Sequence, residues 1–309
     1  MVTEAVAATT PFQQKRTGGE KMKKPLVFEK KKEVRAWVKE QHAQNRTVGF
    51  VPTMGALHVG HRSLLERSAK ENELTVVSIF VNPIQFGPSD DFHAYPRPFE
   101  ADLKLCAEAG VDCVFAPSAE EMYDGERRTF VEVGGLTDNL CGLSRPGHFR
   151  GVATIVAKLL NIIRPDRAYF GRKDAQQLRI IRAMAKDLDL PGEIVPCETV
   201  READGLAVSS RNDYLNPKER AQAAILSKAL QHCRRRVEQD AERDAMKLMG
   251  EMAEMILGLI GTEIDYVALV DADSLADLKH LRGRVLVALA VKIGKARLID
   301  NITLDVKPH

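Results

Sequence analysis

The sequence predicts an α/β protein in which a Rossmann-like open parallel sheet is followed by a smaller α+β C-terminal domain. Up to about residue 200, short runs that are apolar on both faces alternate with segments of helical period, the grammar of a covered parallel sheet with right-handed crossovers. Beyond that point strand-like runs follow one another without helices between them, which calls for antiparallel pairing. The chain is long enough for both units. Its 309 residues are 44% apolar and 28% charged, and a chain of this length buries roughly three quarters of the surface it exposes when unfolded.

The elements follow in order. Residues 1–24 combine small and polar types and end in Lys21, Lys23 and Lys24, without the apolar core of a signal peptide, and read as a disordered tail. Val34, Trp37, Val38 and Gln41 share one face of a helix, and 47–51 is an apolar strand stopped by Pro52. Then come a helix over 63–71, a strand over 74–81, a helix over 100–109 and a strand over 111–116. Residues 130–133 suggest an edge strand. A helix over 151–163, a strand over 167–170, a helix over 175–188 and a strand over 193–200 complete the first domain, 25–199. Residues 200–309 form the second: a long helical region over 217–259, then strands over 264–270, 285–291 and 296–304. Ligands of such a sheet sit at the carboxyl ends of its strands.

Charge and cysteines narrow the function. With 45 basic against 43 acidic residues the formal net charge is +2, which argues against a nucleic-acid or membrane partner. No apolar run approaches the ~18 residues of a membrane span. The five cysteines are odd in number and widely spaced, so they read as buried free thiols, and a cytoplasmic location is expected.

The most informative stretch is 51–61, VPTMGALHVGH, between a buried strand and the next helix. Gly55 and Gly60 allow a tight turn and close ligand approach, and the helix amino end presents free N–H groups to an anion. His58 and His61, three residues apart, share one side of the first turn, where both rings can donate to one phosphoryl group. A Walker loop and a dinucleotide fingerprint are both absent. Three other clusters follow strands or link the domains. The amides of Asn82 and Gln85 should project at the ligand edge. Lys173 in the FGRKD stretch aims a cation at the pocket, with Asp174 as helix N-cap. Val208, Ser209, Ser210 and Arg211 offer hydroxyls and a guanidinium suited to a polyphosphate. Taken singly, an Asn-capped loop or a solvated hinge explains these about as well.

Taken together, VPTMGALHVGH (51–61), FVNPIQF (80–86), AYPR (94–97), AYFGRKDAQQ (168–177), TVREADGLAVSSRN (199–212) and RLIDN (297–301) resemble the pantothenate synthetase, or pantoate:β-alanine ligase, family. The H-x-G-H signature alone marks only the wider nucleotidyltransferase superfamily. The resemblance implies ATP-dependent ligation of pantoate and β-alanine through a pantoyl adenylate, with Mg²⁺ accompanying ATP, in a homodimer. It implies that His58, His61, Lys173 and Arg211 are catalytic, the first three neutralising charge at the α-phosphate. Met54, Gly55, His61, Gly171, Lys173, Asp174, Val200, Val208, Ser209, Ser210 and Arg211 would bind ATP. Gln85, Gln177, Asn82 and Met54 would bind pantoate, and Asp102 would approach the metal. The chain departs from the family pattern at Val59, Arg172 and Val208; the first two should face away from the substrates, and Val208 bears on the adenine side. Two rivals stay open: another small-molecule adenylyltransferase, which needs a cationic seat for an acceptor phosphate where Gln85 and Gln177 are neutral, and a nucleotide-binding module without chemistry.

Overall fold

The computed structural model describes residues 24–87 and 92–307; of the expected tail, all but Lys24 lies outside the described residues. Among them, β1 (Leu26–Phe28), β2 (Val48–Thr53), β3 (Leu74–Ile79), β4 (Cys113–Phe115), β5 (Arg167–Gly171) and β6 (Glu193–Cys197) form one sheet in the order β1-β4-β3-β2-β5-β6. Every pairing in it is parallel. Chain direction across the sheet reverses at β2, which pairs with β3 on one side and β5 on the other.

The helices that cover this sheet are α1 (Lys31–Ala43), α2 (Val59–Glu71), α3 (Phe99–Glu108), α4 (Ala119–Met122), α5 (Leu140–Ser144), α6 (His148–Ile163) and α7 (Ala175–Asp187). Strand alternation explains the two layers. Phe50 and Val76 pack with Val34, Leu160 and Ile163 on one face, whereas Val51 and Val77 pack with Leu64, Leu65 and Tyr169 on the other. Helix α6 is apolar nearly all round and is buried accordingly.

The second unit comprises α8 (Pro217–Ala223), α9 (Ile225–Glu238), α10 (Ala245–Leu257) and an antiparallel sheet of β7 (Thr262–Asp271), β8 (Gly283–Ile293) and β9 (Ala296–Val306). Val285, Val287, Leu289 and Val291 of β8 pack under α9 and α10. The opposite face of β8, through Leu286 and Ala288, joins the core of the parallel sheet. The small sheet therefore roofs the carboxyl edge of the large one.

One expectation needs correction, one is refined and one element was not expected. Residues 130–133 form no strand: the Val131 N–H goes to Thr154 Oγ1 at 3.0 Å, away from any ladder. The helical region expected over 217–259 is divided into three helices; an Asn216–Glu219 capping box opens α8 and the Asp244 side chain caps α10. Strand β1, too short for a periodicity, extends the sheet beside β4. The cysteines are all free and buried, as expected.

Helix α2 sits unusually close to β2 because residue 49 is glycine. A Cβ there would lie 2.2 Å from Ser68 Oγ and 2.4 Å from Asn72 Nδ2. Those atoms belong to a buried polar network, with Ser68 Oγ 2.9 Å from Thr75 Oγ1 and Asn72 donating to Tyr169 OH at 2.7 Å. Gly49→Ala is expected to cost about 1–3 kcal/mol, the usual range for overpacking, read as a lower urea midpoint. An unchanged midpoint would show that the α2–β2 contact yields freely.

Candidate functional site

The site is assembled at the carboxyl ends of β2, β3, β5 and β6. After β2 the chain turns through Gly55 and Ala56, both at positive φ (83° and 51°). This turn exposes two successive N–H groups, and the carboxylate of Asp102 on α3 accepts both, from Ala56 at 3.0 Å and Leu57 at 2.7 Å. Asp102 is only 2% exposed; burial raises its pKa and the two backbone hydrogen bonds oppose the rise. Asp102, which the resemblance associates with the metal, is thereby tied to the histidine loop. Both its oxygens are engaged with the loop, so we assign it to holding the loop in shape.

That loop delivers His58 as the N-cap of α2 and His61 to its first turn. The helix begins earlier than the expected residue 63. His58 Nδ1 accepts from Gly60 N–H at 3.1 Å, and His61 Nδ1 accepts from His58 N–H at 3.3 Å. A Cβ on residue 60 would lie 2.9 Å from His58 Cε1, so glycine is what lets the ring fold over the helix end. The two rings are 4.1 Å apart between centroids. With each Nδ1 accepting, each ring proton sits on Nε2 and faces away from the backbone.

Burial, then the Lys173 ammonium, lowers the His58 pKa to about 4, against smaller opposing effects of Asp174 and Asp213. Burial, then His58, then Lys173 lowers that of His61 to about 3. The field of Lys173 therefore reaches both rings, as expected from the pairing of β2 with β5, whose ends carry these groups. One expectation changes. At neutral pH the imidazoles are uncharged hydrogen-bond donors, and Lys173 alone of the three brings positive charge.

Lys173, Asp174, Gln177, Ser209 and Arg211 line one cavity of about 830 Å³ beneath β8 and β9, within the usual size of a small-molecule site. Asp174 occupies the N-cap position of α7, but its side chain makes no capping bond. Lys173 has no ion-pair partner among the described residues. Val208 N–H donates to Val200 O at 3.0 Å, closing a hairpin that presents Ser209–Arg211; the Ser209 hydroxyl caps the following turn. Gly171 ends β5, and Ser210 opens that turn. Met54 and Gly55 line a neighbouring hollow of about 300 Å³ with Asp102.

Asn82 does not project at the ligand edge. It is 1% exposed, accepts from Tyr123 OH at 2.6 Å and donates to Gln85 Oε1 at 3.0 Å and Gly151 O at 3.2 Å. Its effect is to orient the Gln85 amide, which donates toward Met54 Sδ at 3.0 Å. His148 Nδ1 lies 2.8 Å from Gln85 O and its side chain lines the large cavity, linking the two regions. Of the departures from pattern, Val59 is 53% exposed, and Arg172 does not line the large cavity but pairs with Glu198 at 2.9 Å.

Sequence reasoning missed a latch. Asn301 Nδ2 donates to the carbonyls of Arg172 and Lys173 at 3.0 and 2.8 Å. Asp300 beside it receives Arg201 in a bidentate pair at 2.6 and 2.9 Å. Strand β9 so fixes both the lysine turn and the start of the Val200–Arg211 hairpin. RLIDN was visible as a motif, but its partners lie about 100 to 130 residues away.

Among the described residues no group of three His, Cys, Asp or Glu side chains could hold a metal ion. Mg²⁺ is commonly held by one or two carboxylates together with substrate phosphates. The donor set fits that ion as a companion of nucleotide phosphates and not as a resident of a protein-built cage. No helix among the described residues is long and apolar enough to cross a membrane.

Comparison with known proteins agrees with this geometry. A family model described as pantoate-beta-alanine ligase matches residues 26–303. The pantothenate synthetase of Acetivibrio thermocellus is 53% identical over 280 residues, covering 91% of this chain and 99% of that one. The crystal structure of the pantothenate synthetase from Thermus thermophilus superposes with a TM-score of 0.84 at 44% identity, covering 92% of this chain and all of that one. The Francisella tularensis pantoate-beta-alanine ligase, solved in complex with beta-gamma ATP and beta-alanine, gives 0.74 at 33% identity over 90% of this chain and 97% of that one.

Because folding depresses both histidine pKa values, the unfolded chain binds more protons than the folded one between the ordinary value of 6.5 and about 3 to 4. Their contribution to stability is complete above pH 6.5 and is lost as pH falls through that window. Unfolding free energy is expected to decline from pH 7 to pH 5, and His61→Gln to flatten the slope. Equal slopes in the two proteins would contradict neutral, buried rings.

Proposed function

Since the chain belongs to the pantoate-beta-alanine ligase family and is an enzyme that forms pantothenate, we propose that it works through ATP and a pantoyl-adenylate intermediate, in the service of coenzyme A synthesis. The reading is carried by two neutral imidazoles in the turn after β2 that lie within the field of the Lys173 ammonium in the turn after β5, a group with no ion-pair partner among the described residues. Such a cluster suits a phosphorus centre that gains negative charge and needs no nucleophilic side chain.

In the first step a pantoate carboxylate oxygen attacks the α-phosphorus and the bond to the β-phosphate oxygen breaks, releasing pyrophosphate. Lys173 and the Nε2–H groups of His58 and His61 hold the α-phosphoryl oxygens; Ser209, Ser210 and Arg211 hold the β and γ groups. Mg²⁺ bound with ATP would neutralise phosphate charge. Gly55 lets the nucleotide approach the loop, and Gly171, Asp174, Val200 and Val208 shape the nucleoside pocket, with Asp174 on the ribose. Gln85 and Gln177 take the pantoate hydroxyls and carboxylate, Met54 lines the reacting end, and Asn82 acts through Gln85. In the second step the β-alanine amine attacks the acyl carbon, the bond to the phosphate oxygen breaks, and AMP leaves with that electron pair. Positioning dominates both steps.

The bound beta-gamma ATP and beta-alanine of the Francisella tularensis relative support these substrates. The reading takes the protein as a homodimer acting on small molecules in the cytoplasm. It divides the chain into a catalytic unit, 25–199, and a lid, 200–309. A non-catalytic module is disfavoured by the unpaired Lys173 facing an 830 Å³ cavity.

Pyrophosphate release from ATP is expected to require pantoate, and AMP release at full rate to require β-alanine as well. Equal turnover with pantoate omitted would overturn the adenylate route. Lys173→Ala is expected to slow adenylate formation by about 10²-fold or more in single-turnover assays with the fold intact. A loss below about tenfold, equivalent to about 1.4 kcal/mol of barrier, would remove Lys173 from the central role.

A further inference from the structure

Behind the lysine turn lies a second cavity of about 340 Å³, which shares Ala175, Leu286 and Asn301 with the large one and is otherwise lined by different residues. Six arginines line it: Arg172 beside the turn, Arg179 and Arg182 on α7, Arg201 in the interdomain segment, Arg234 on α9 and Arg284 on β8. Three are matched by carboxylates. Arg172 pairs with Glu198 at 2.9 Å, Arg179 with Asp273 at 3.8 Å and Arg201 with Asp300 at 2.6 Å. Arg182, Arg234 and Arg284 have no carboxylate partner among the described residues.

The surplus is concentrated. The Arg182 pKa is lowered from its ordinary value, first by burial and then by Arg172, Arg284 and Arg179, against a smaller opposing effect of Asp273, so these like charges oppose one another at short range. Arg234 Nε is buried and has no hydrogen-bond partner, the condition of a donor awaiting an acceptor. Thr199, Gln231 and Thr303 add neutral donors to the wall. Guanidinium forks match phosphate oxygens in pairs, and the volume is at the small end for a ligand site.

We infer that this cleft is a second anion site, which takes a compact inorganic di- or triphosphate and bridges the two units of the chain. The ligand joins α7 to α9 and β8, and it lies against the Asp300–Asn301 latch that holds the lysine turn. The site is separate from the ATP seat in the proposed function and does not depend on it.

The test is isothermal titration of the full chain with inorganic triphosphate at low salt, comparing the wild type with the double variant Arg182→Glu, Arg284→Glu and with Arg234→Gln. None of these residues serves the catalytic reading, so ATP binding provides the control for folding. Two binding phases are expected in the wild type. The double variant is expected to lose one phase, and Arg234→Gln to weaken that same phase at least tenfold. A single phase in the wild type that both variants leave unchanged, or two unchanged phases in both variants, would overturn the inference.

Discussion

The parallel pairing of β2 with β5 brings the histidine turn and the lysine turn side by side. Crossover direction reverses between these strands, so the loops at their carboxyl ends diverge and leave a crevice, the general place for ligands in an open α/β sheet. The histidine turn follows β2 and the lysine turn follows β5. Neighbouring strands are about 4.8 Å apart, so two segments separated by more than 110 residues in sequence come close enough for the Lys173 ammonium to act on both imidazoles. The rest supports this junction: Gly49 lets α2 close on β2, Asp102 holds the histidine loop, and Asn301 holds the lysine turn.

Electrostatics then divides the labour. A charged imidazole next to another imidazole and an ammonium, away from water, is disfavoured by burial and by like charge together. The backbone N–H groups at the start of α2 occupy both Nδ1 atoms and settle the tautomer, so each ring offers a fixed N–H. Lys173 brings the positive charge and has no ion-pair partner among the described residues. Donors fixed before the substrate arrives need no reorganisation as charge builds on phosphorus. The roof formed by β8 and β9 keeps the cavity walled on its far side.

Much of this was legible in the sequence, and the exceptions have physical causes. Apolar runs on both strand faces marked the parallel sheet because both faces are in fact buried, with Phe50 on one side and Val51 on the other. The histidine turn was legible because glycine, helix start and imidazole spacing are all local properties. Strand β1 was missed because three residues carry no period, and residues 130–133 misled because Val131 finds a side-chain acceptor instead of a strand. The roles of Asp102, Asn82 and Asn301 were out of reach: each is defined by partners brought in by the fold, and a lone polar residue in sequence does not say whether it meets substrate or backbone. The imidazole charge state was missed for a similar reason, since burial and the Lys173 field exist only in the assembled site.

Nitrogen-15 NMR of the two imidazoles across a pH titration of the free enzyme reads the central claim directly. The account predicts that both rings carry their proton on Nε2, with Nδ1 as acceptor, and stay neutral down to about pH 5, well below the ordinary midpoint near 6.5. Midpoints near 6.5, or protons on Nδ1, would contradict it.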